Sequence, residues 1–70
     1  MERVSVKSSN ISEIGYDEEN KVLEIAFNNG SVYNYYEVPS DEHDGIMAAD
    51  SHGKYLNSHI KGNYDYKQIS

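Results

Sequence analysis

Seventy residues suffice for one small domain, with 37% hydrophobic and 26% charged residues. Twelve acidic residues against six basic ones set a formal net charge of −6, and there are seven tyrosines but no cysteine and no tryptophan. Disulfides and thiolate zinc sites are excluded, no apolar run approaches the roughly 18–20 residues that span a membrane, and Met1–Ser5 lacks the apolar stretch of a signal peptide. A soluble cytoplasmic protein is the expectation.

Residues 1–10 are polar and show no period. From Ile11 to Asp17, Ile14 and Tyr16 alternate with Glu13 and Gly15, which predicts a short strand before a turn at Glu18–Lys21. Val22 to Phe27 alternates cleanly, with Leu23, Ile25 and Phe27 on one face and Glu24 on the other. Asn28-Asn29-Gly30 turns the chain into Ser31–Val38, rich in tyrosine and valine. A two-residue turn there would set Val32, Asn34 and Tyr36 beside the Leu23 face. A three-residue loop with Gly30 left-handed pairs Phe27 with Ser31 and sets Tyr33 and Tyr35 beside Ile25 and Leu23. The second register collects apolar side chains on one face, so burial selects it.

Pro39 ends that strand, and Ser40 is read as the cap of a helix with Asp41, Glu42 and Asp44 in its first turn. Gly45 weakens this helix, while Ile46, Met47 and Ala49 form its apolar stripe. Ser51 caps a second helix running through Lys61, with Leu56 and Ile60 on one face and Lys54, Asn57 and Lys61 on another. Gly62 stops it, and Tyr64–Ile69 alternates as a short final strand. The fold class is α+β: an antiparallel three-stranded meander, two short helices and a short C-terminal strand.

The strong apolar side chains are few: Ile11, Ile14, Val22, Leu23, Ile25, Phe27, Val32, Val38, Ile46, Met47, Leu56, Ile60 and Ile69. Cores of this size seldom supply more than about 3–5 kcal/mol, so a homo-oligomer, a dimer or tetramer, is expected over a marginal monomer.

Charge is unevenly placed. Residues 11–50 hold ten carboxylates and the single base Lys21, whereas Arg3 and Lys7 outnumber Glu2 before them and Lys54, Lys61 and Lys67 outnumber Asp65 after them. An anionic ligand is thus expected at the N-terminal segment and the second helix. Duplex nucleic acid is a poor partner for six bases under an acidic middle, but a short or cyclic nucleotide needs only one or two charges, backbone amides and an aromatic face.

Ser51-His52-Gly53-Lys54 offers a hydroxyl, amides and a counter-charge at a helix start, although Ser51 also reads as an ordinary cap. Tyr33-Asn34-Tyr35-Tyr36 sets rings on both faces of one strand. Tyr36 is therefore a candidate to stack on a base, or to pack in a subunit interface. His52 and His59, seven apart, do not converge on one ion, so no metal site is expected. No nucleophile elbow, paired carboxylate or Walker pattern is present, and neither an enzyme nor a cofactor is expected.

These residues carry a resemblance. Ser8-Ser9-Asn10-Ile11, Ile14-Gly15-Tyr16-Asp17 and Leu23-Glu24-Ile25-Ala26-Phe27 are similar to the KTSC domain, named for the lysyl-tRNA synthetase C-terminus. The likeness continues through Gly30, Tyr33-Asn34-Tyr35 and Val38-Pro39, then Ala49-x-Ser51-x-Gly53-Lys54-Tyr55-Leu56-Asn57 and Ile60-Lys61. It covers about residues 6–66, and Tyr-x-Tyr followed by Val-Pro is its most specific part. Leu56 stands where an aromatic is usual, and Gly45 interrupts the first helix.

The resemblance implies a domain found both as a synthetase tail and as a stand-alone protein of bacteria and phages, with RNA binding as one suggested role. Similar small phage proteins include sponges that sequester the cyclic nucleotide signals of bacterial anti-phage defence such as CBASS. The family's polar motif maps onto Ser8, Ser9, Ser51, Gly53, Lys54 and Asn57. The expected function is then a stand-alone, homo-oligomeric, non-enzymatic sponge for cyclic oligonucleotides in the host cytoplasm. In it Lys7, Lys54 and Lys61 would face phosphates, Ser51 and Asn57 would donate hydrogen bonds, and a tyrosine would stack. The alternatives are an RNA-binding accessory module, and a protein–protein module acting through acids such as Glu18, Glu19 and Asp41.

Overall fold

A computed structural model describes residues 1–70. Its sheet has five antiparallel strands in sequence order: β1 (Arg3–Ser5), β2 (Ile11–Asp17), β3 (Val22–Phe27), β4 (Val32–Tyr35) and β5 (Tyr66–Gln68). Between β4 and β5 lie helix α1 (Ser40–Ala48) and helix α2 (His52–Tyr55), whose last turn widens to π-helical geometry over Leu56–Ile60. The α+β class holds, and the sheet is wider than a three-stranded meander.

Local chemistry sets the turns. The Asp17 carboxylate accepts the Asn20 backbone N–H at 3.2 Å and its side-chain amide at 2.9 Å, closing the β2–β3 turn with Lys21 left-handed at φ 58°. At the β3–β4 turn the Phe27 N–H donates to the Ser31 carbonyl at 2.8 Å, and Gly30 is left-handed at φ 95°. Ile25 pairs with Tyr33 and Leu23 with Tyr35, the bulged register that burial selects.

Some expected boundaries move. β1 emerges from the stretch that showed no period: its three residues are exposed and pair with Glu13–Gly15. Arg3 holds it in place across the sheet's outer face, 2.6 Å from Glu24 and 3.3 Å from Glu13. β4 stops at Tyr35, because Glu37 turns left-handed (φ 57°) and the Val38 N–H donates to the Lys21 carbonyl instead. Pro39, not Ser40, caps α1, with no side-chain bond, and its carbonyl accepts the Glu42 N–H. β5 occupies only the middle of the expected Tyr64–Ile69 strand.

The core fills the space between sheet and helices. Ile11, Ile14, Leu23, Ile25 and Tyr35 from the strands meet Ile46, Leu56 and Ile60 from the helices, with Val38 between them. Gly45, which costs α1 helical propensity, faces the Tyr55 ring so closely that a methyl group there would overlap the phenol. The Tyr55 hydroxyl donates to one oxygen of Glu42 at 2.6 Å and the Tyr64 hydroxyl to the other at 3.1 Å, joining α1 to α2 and to the segment before β5. No helix is long and apolar enough to cross a membrane.

Candidate functional site: an aromatic groove beside Lys61

The register that buries Tyr35 also sets Tyr33 on the same face two residues away, and β5 brings Tyr66 opposite Tyr35. Phe27, at the end of β3, closes the row. The Tyr66 ring lies 5.8 Å from Tyr33 and 5.7 Å from Tyr35, centroid to centroid, while Phe27 meets Tyr33 edge-on at 5.6 Å. Tyr33 donates a hydrogen bond to Gln68 at 3.2 Å, which ties β4 to β5 at the groove. Burial raises the Tyr35 phenol above the ordinary tyrosine range, whereas Tyr66 is 62% exposed and offers its ring to solvent.

These rings wall a groove of about 530 Å³, within the range of small-molecule sites. Asn29 and Ser31 of the β3–β4 turn line one end, and Lys61 and Gly62, just past the π-helical turn, line the other. Gly62 is left-handed at φ 82°, so the chain turns sharply there and leaves Lys61 at the rim. Lys61 is the one charged residue of the lining and forms no ion pair. In a chain with twelve carboxylates, none reaches this groove. A second cavity, of about 600 Å³ under β1, has the opposite character, lined by Glu2, Glu18 and Asp44 beside the stacked Tyr16 and His43 rings. Aromatic faces beside a lone ammonium suit a planar, anionic ligand.

The structure divides the residues singled out from sequence. Ser8, Ser9, Ser51, Gly53 and Lys54 do come together: a Cβ on Gly53 would lie 3.3 Å from the Asn10 side-chain oxygen, so the 8–10 loop packs against the start of α2. Their hydroxyls have structural partners. Ser8 accepts the Asn10 and Ile11 N–H groups at 3.3 and 3.2 Å, Ser9 donates to the Asn10 side chain at 2.7 Å, and Ser51 caps the helix by accepting the Lys54 N–H at 3.2 Å. Lys7, Lys54 and Asn57 are exposed on the surface. Lys61 stands apart from that group, seven residues and about 10 Å of helix beyond Lys54.

Tyr36 is half-buried and lies outside the groove, its backbone N–H donating to the Asp65 carbonyl at 2.9 Å. The tyrosines that line the groove are Tyr33, Tyr35 and Tyr66, of which Tyr66 is exposed. The signal for them is the pair of Tyr-x-Tyr segments, Tyr33–Tyr35 and Tyr64–Tyr66, which strand pairing sets partly side by side. Each histidine has its own neighbour: His52 with the Ile46 carbonyl at 2.7 Å, His43 with Tyr16, and His59 with Tyr55.

Comparison with known proteins agrees with this architecture. A KTSC domain protein from Yersinia pestis has a solved structure that superposes with a TM-score of 0.93 at 40% identity, over 99% of this chain and 97% of that one. An uncharacterized protein of Stutzerimonas stutzeri strain A1501 is 37% identical over 99% of both chains. A lysine–tRNA ligase of Nostoc punctiforme is 34% identical over 91% of this chain, which spans only 11% of that enzyme. The KTSC domain family model matches residues 7–64, which take in β2, β3, β4 and both helices and leave the edge strands β1 and β5 outside the match. By sequence and by fold, this chain belongs to the KTSC family.

Proposed function

We propose that the chain is a non-enzymatic binder that sequesters small cyclic or short nucleotides, as a sponge for a cyclic nucleotide signal of bacterial anti-phage defence. The observation that carries this reading is the groove free of carboxylates, walled by Tyr33, Tyr35 and Tyr66 with Lys61 at its rim, in a protein of net charge −6. A base stacks on the exposed Tyr66 ring and its phosphate meets Lys61. The junction of the 8–10 loop with α2 supports the scaffold, and Lys54 and Lys7 add favourable potential outside the groove. A sponge needs affinity without turnover, which a stacking face and one counter-charge supply.

A thermal-shift panel of cyclic di- and trinucleotides, with single-stranded RNA alongside, tests the reading. Ligand that binds only the folded state raises the melting temperature by mass action. A shift with a cyclic nucleotide, lost in Tyr66→Ala, is expected; no shift with any nucleotide contradicts it.

The similarity to a segment of lysine–tRNA ligase favours a second reading, a single-stranded RNA module using the same stacking face. RNA binding would strengthen with oligonucleotide length and fall steeply with salt, whereas a site with one lysine has a slope near one phosphate contact.

A further inference from the structure

Resting on the nucleotide reading of the groove, we infer that each groove holds a single nucleotide unit, so that one cyclic dinucleotide bridges two copies of this chain. Ring spacing carries the argument. A base held between two parallel rings separates them by about 7 Å, twice an ordinary carbon–carbon contact. The Tyr66 ring sits 5.7 and 5.8 Å from its two neighbours and is tilted to them by 39° and 43°. Tyr33 and Tyr35 are 6.5 Å apart, and Tyr35 is 2% exposed. The rings fill one another's gaps, so a base stacks on the outer face of the cluster and on that face alone.

Charge gives the same count. Lys61 is the only cation of the lining, enough for one phosphate. The second base and second phosphate of a cyclic dinucleotide then project from the groove, where the rings and Lys61 of a second copy offer the same recognition in a symmetric arrangement. Two chains of net charge −6 repel one another at long range, and the pairing of each copy's Lys61 with one of the two phosphates offsets this locally, so the ligand favours the dimer.

Calorimetry and sedimentation velocity of the full chain with 5′-AMP and with 3′,3′-cyclic GMP–AMP test this. The expected result is one AMP per chain at unchanged mass, and one cyclic dinucleotide per two chains at doubled mass. Excess dinucleotide should return the protein to monomers, each with its own ligand, the signature of a bridging ligand. Tyr66→Ala, at an exposed position that the core does not need, should abolish the mass increase. One dinucleotide per chain at unchanged mass, or a dimer that forms without ligand, overturns the bridge while leaving the nucleotide reading in place. Binding of neither compound overturns both.

Discussion

Gly45 has opposite meanings in its helix and in the fold. Within α1 it costs about 0.5–1 kcal/mol relative to alanine. In the folded chain its missing side chain makes room for the Tyr55 ring, which is stacked on His59 and hydrogen-bonded to Glu42. Gly45→Ala should therefore destabilise the protein by about 1–3 kcal/mol through overpacking. In a Tyr55→Ala background the same substitution should stabilise it, and chemical denaturation of the four variants reads this reversal of sign. The Tyr55 phenol is pushed up to about 12, first by its hydrogen bond to Glu42 and then by burial. A raised phenol favours the protonated form in the fold, so its contribution is complete below pH 10 and is lost as pH rises from 10 to 12. Tyr55→Phe should flatten the loss of stability across that interval, with alkaline melting curves as the check. The need for Gly45 was not legible in sequence, because the neighbour that demands it lies in another helix.

At the scale of elements, legibility followed how local the cause is. The β3–β4 hairpin was readable because a slip of one residue would exchange Tyr33 and Tyr35 for Asn34 on the buried face, and the observed register obeys that constraint. Gly30 pins it: no atom lies within 4 Å of a Cβ there, so Gly30→Ala tests backbone strain alone. A loss of about 1–2 kcal/mol is expected from its φ of 95°, measured by denaturant midpoint. β1 was not readable, since three exposed residues carry little periodicity and its place depends on Arg3 reaching Glu24 and Glu13 across the sheet. Pro39 takes the cap position that residue preference gives to Ser40, because it fixes the backbone entry and its own carbonyl accepts the first helical bond. The Ser51 cap follows the residue preference directly, whereas the π-helical turn after Tyr55 has no comparable local mark.

The whole molecule separates its charge. An acidic cavity lies at the β1 edge beside α1 and a carboxylate-free aromatic groove at the β5 edge beside Lys61. The sequence places positive charge at the second helix, and Lys61 from its end lines the groove, but the groove as a whole is not legible in the sequence. It is assembled only when the C-terminal strand returns to β4 and sets Tyr66 beside Tyr33 and Tyr35. Tyr36, next in the chain to Tyr35, does not line this groove, because β4 ends at Tyr35 and the backbone turns left-handed at Glu37.

The central claim is that this groove, and not the serine-rich junction at α2, recognises the nucleotide. Calorimetric titration of 3′,3′-cyclic GMP–AMP into the wild type, Tyr66→Ala, Lys61→Ala and Ser51→Ala proteins decides it. Loss of a base-stacking ring costs about 1–3 kcal/mol, so Tyr66→Ala should weaken binding roughly 5- to 150-fold. Lys61→Ala should weaken it as well, with Ser51→Ala near the wild type. Undiminished affinity in Tyr66→Ala and Lys61→Ala, with the loss falling on Ser51→Ala, would contradict the account.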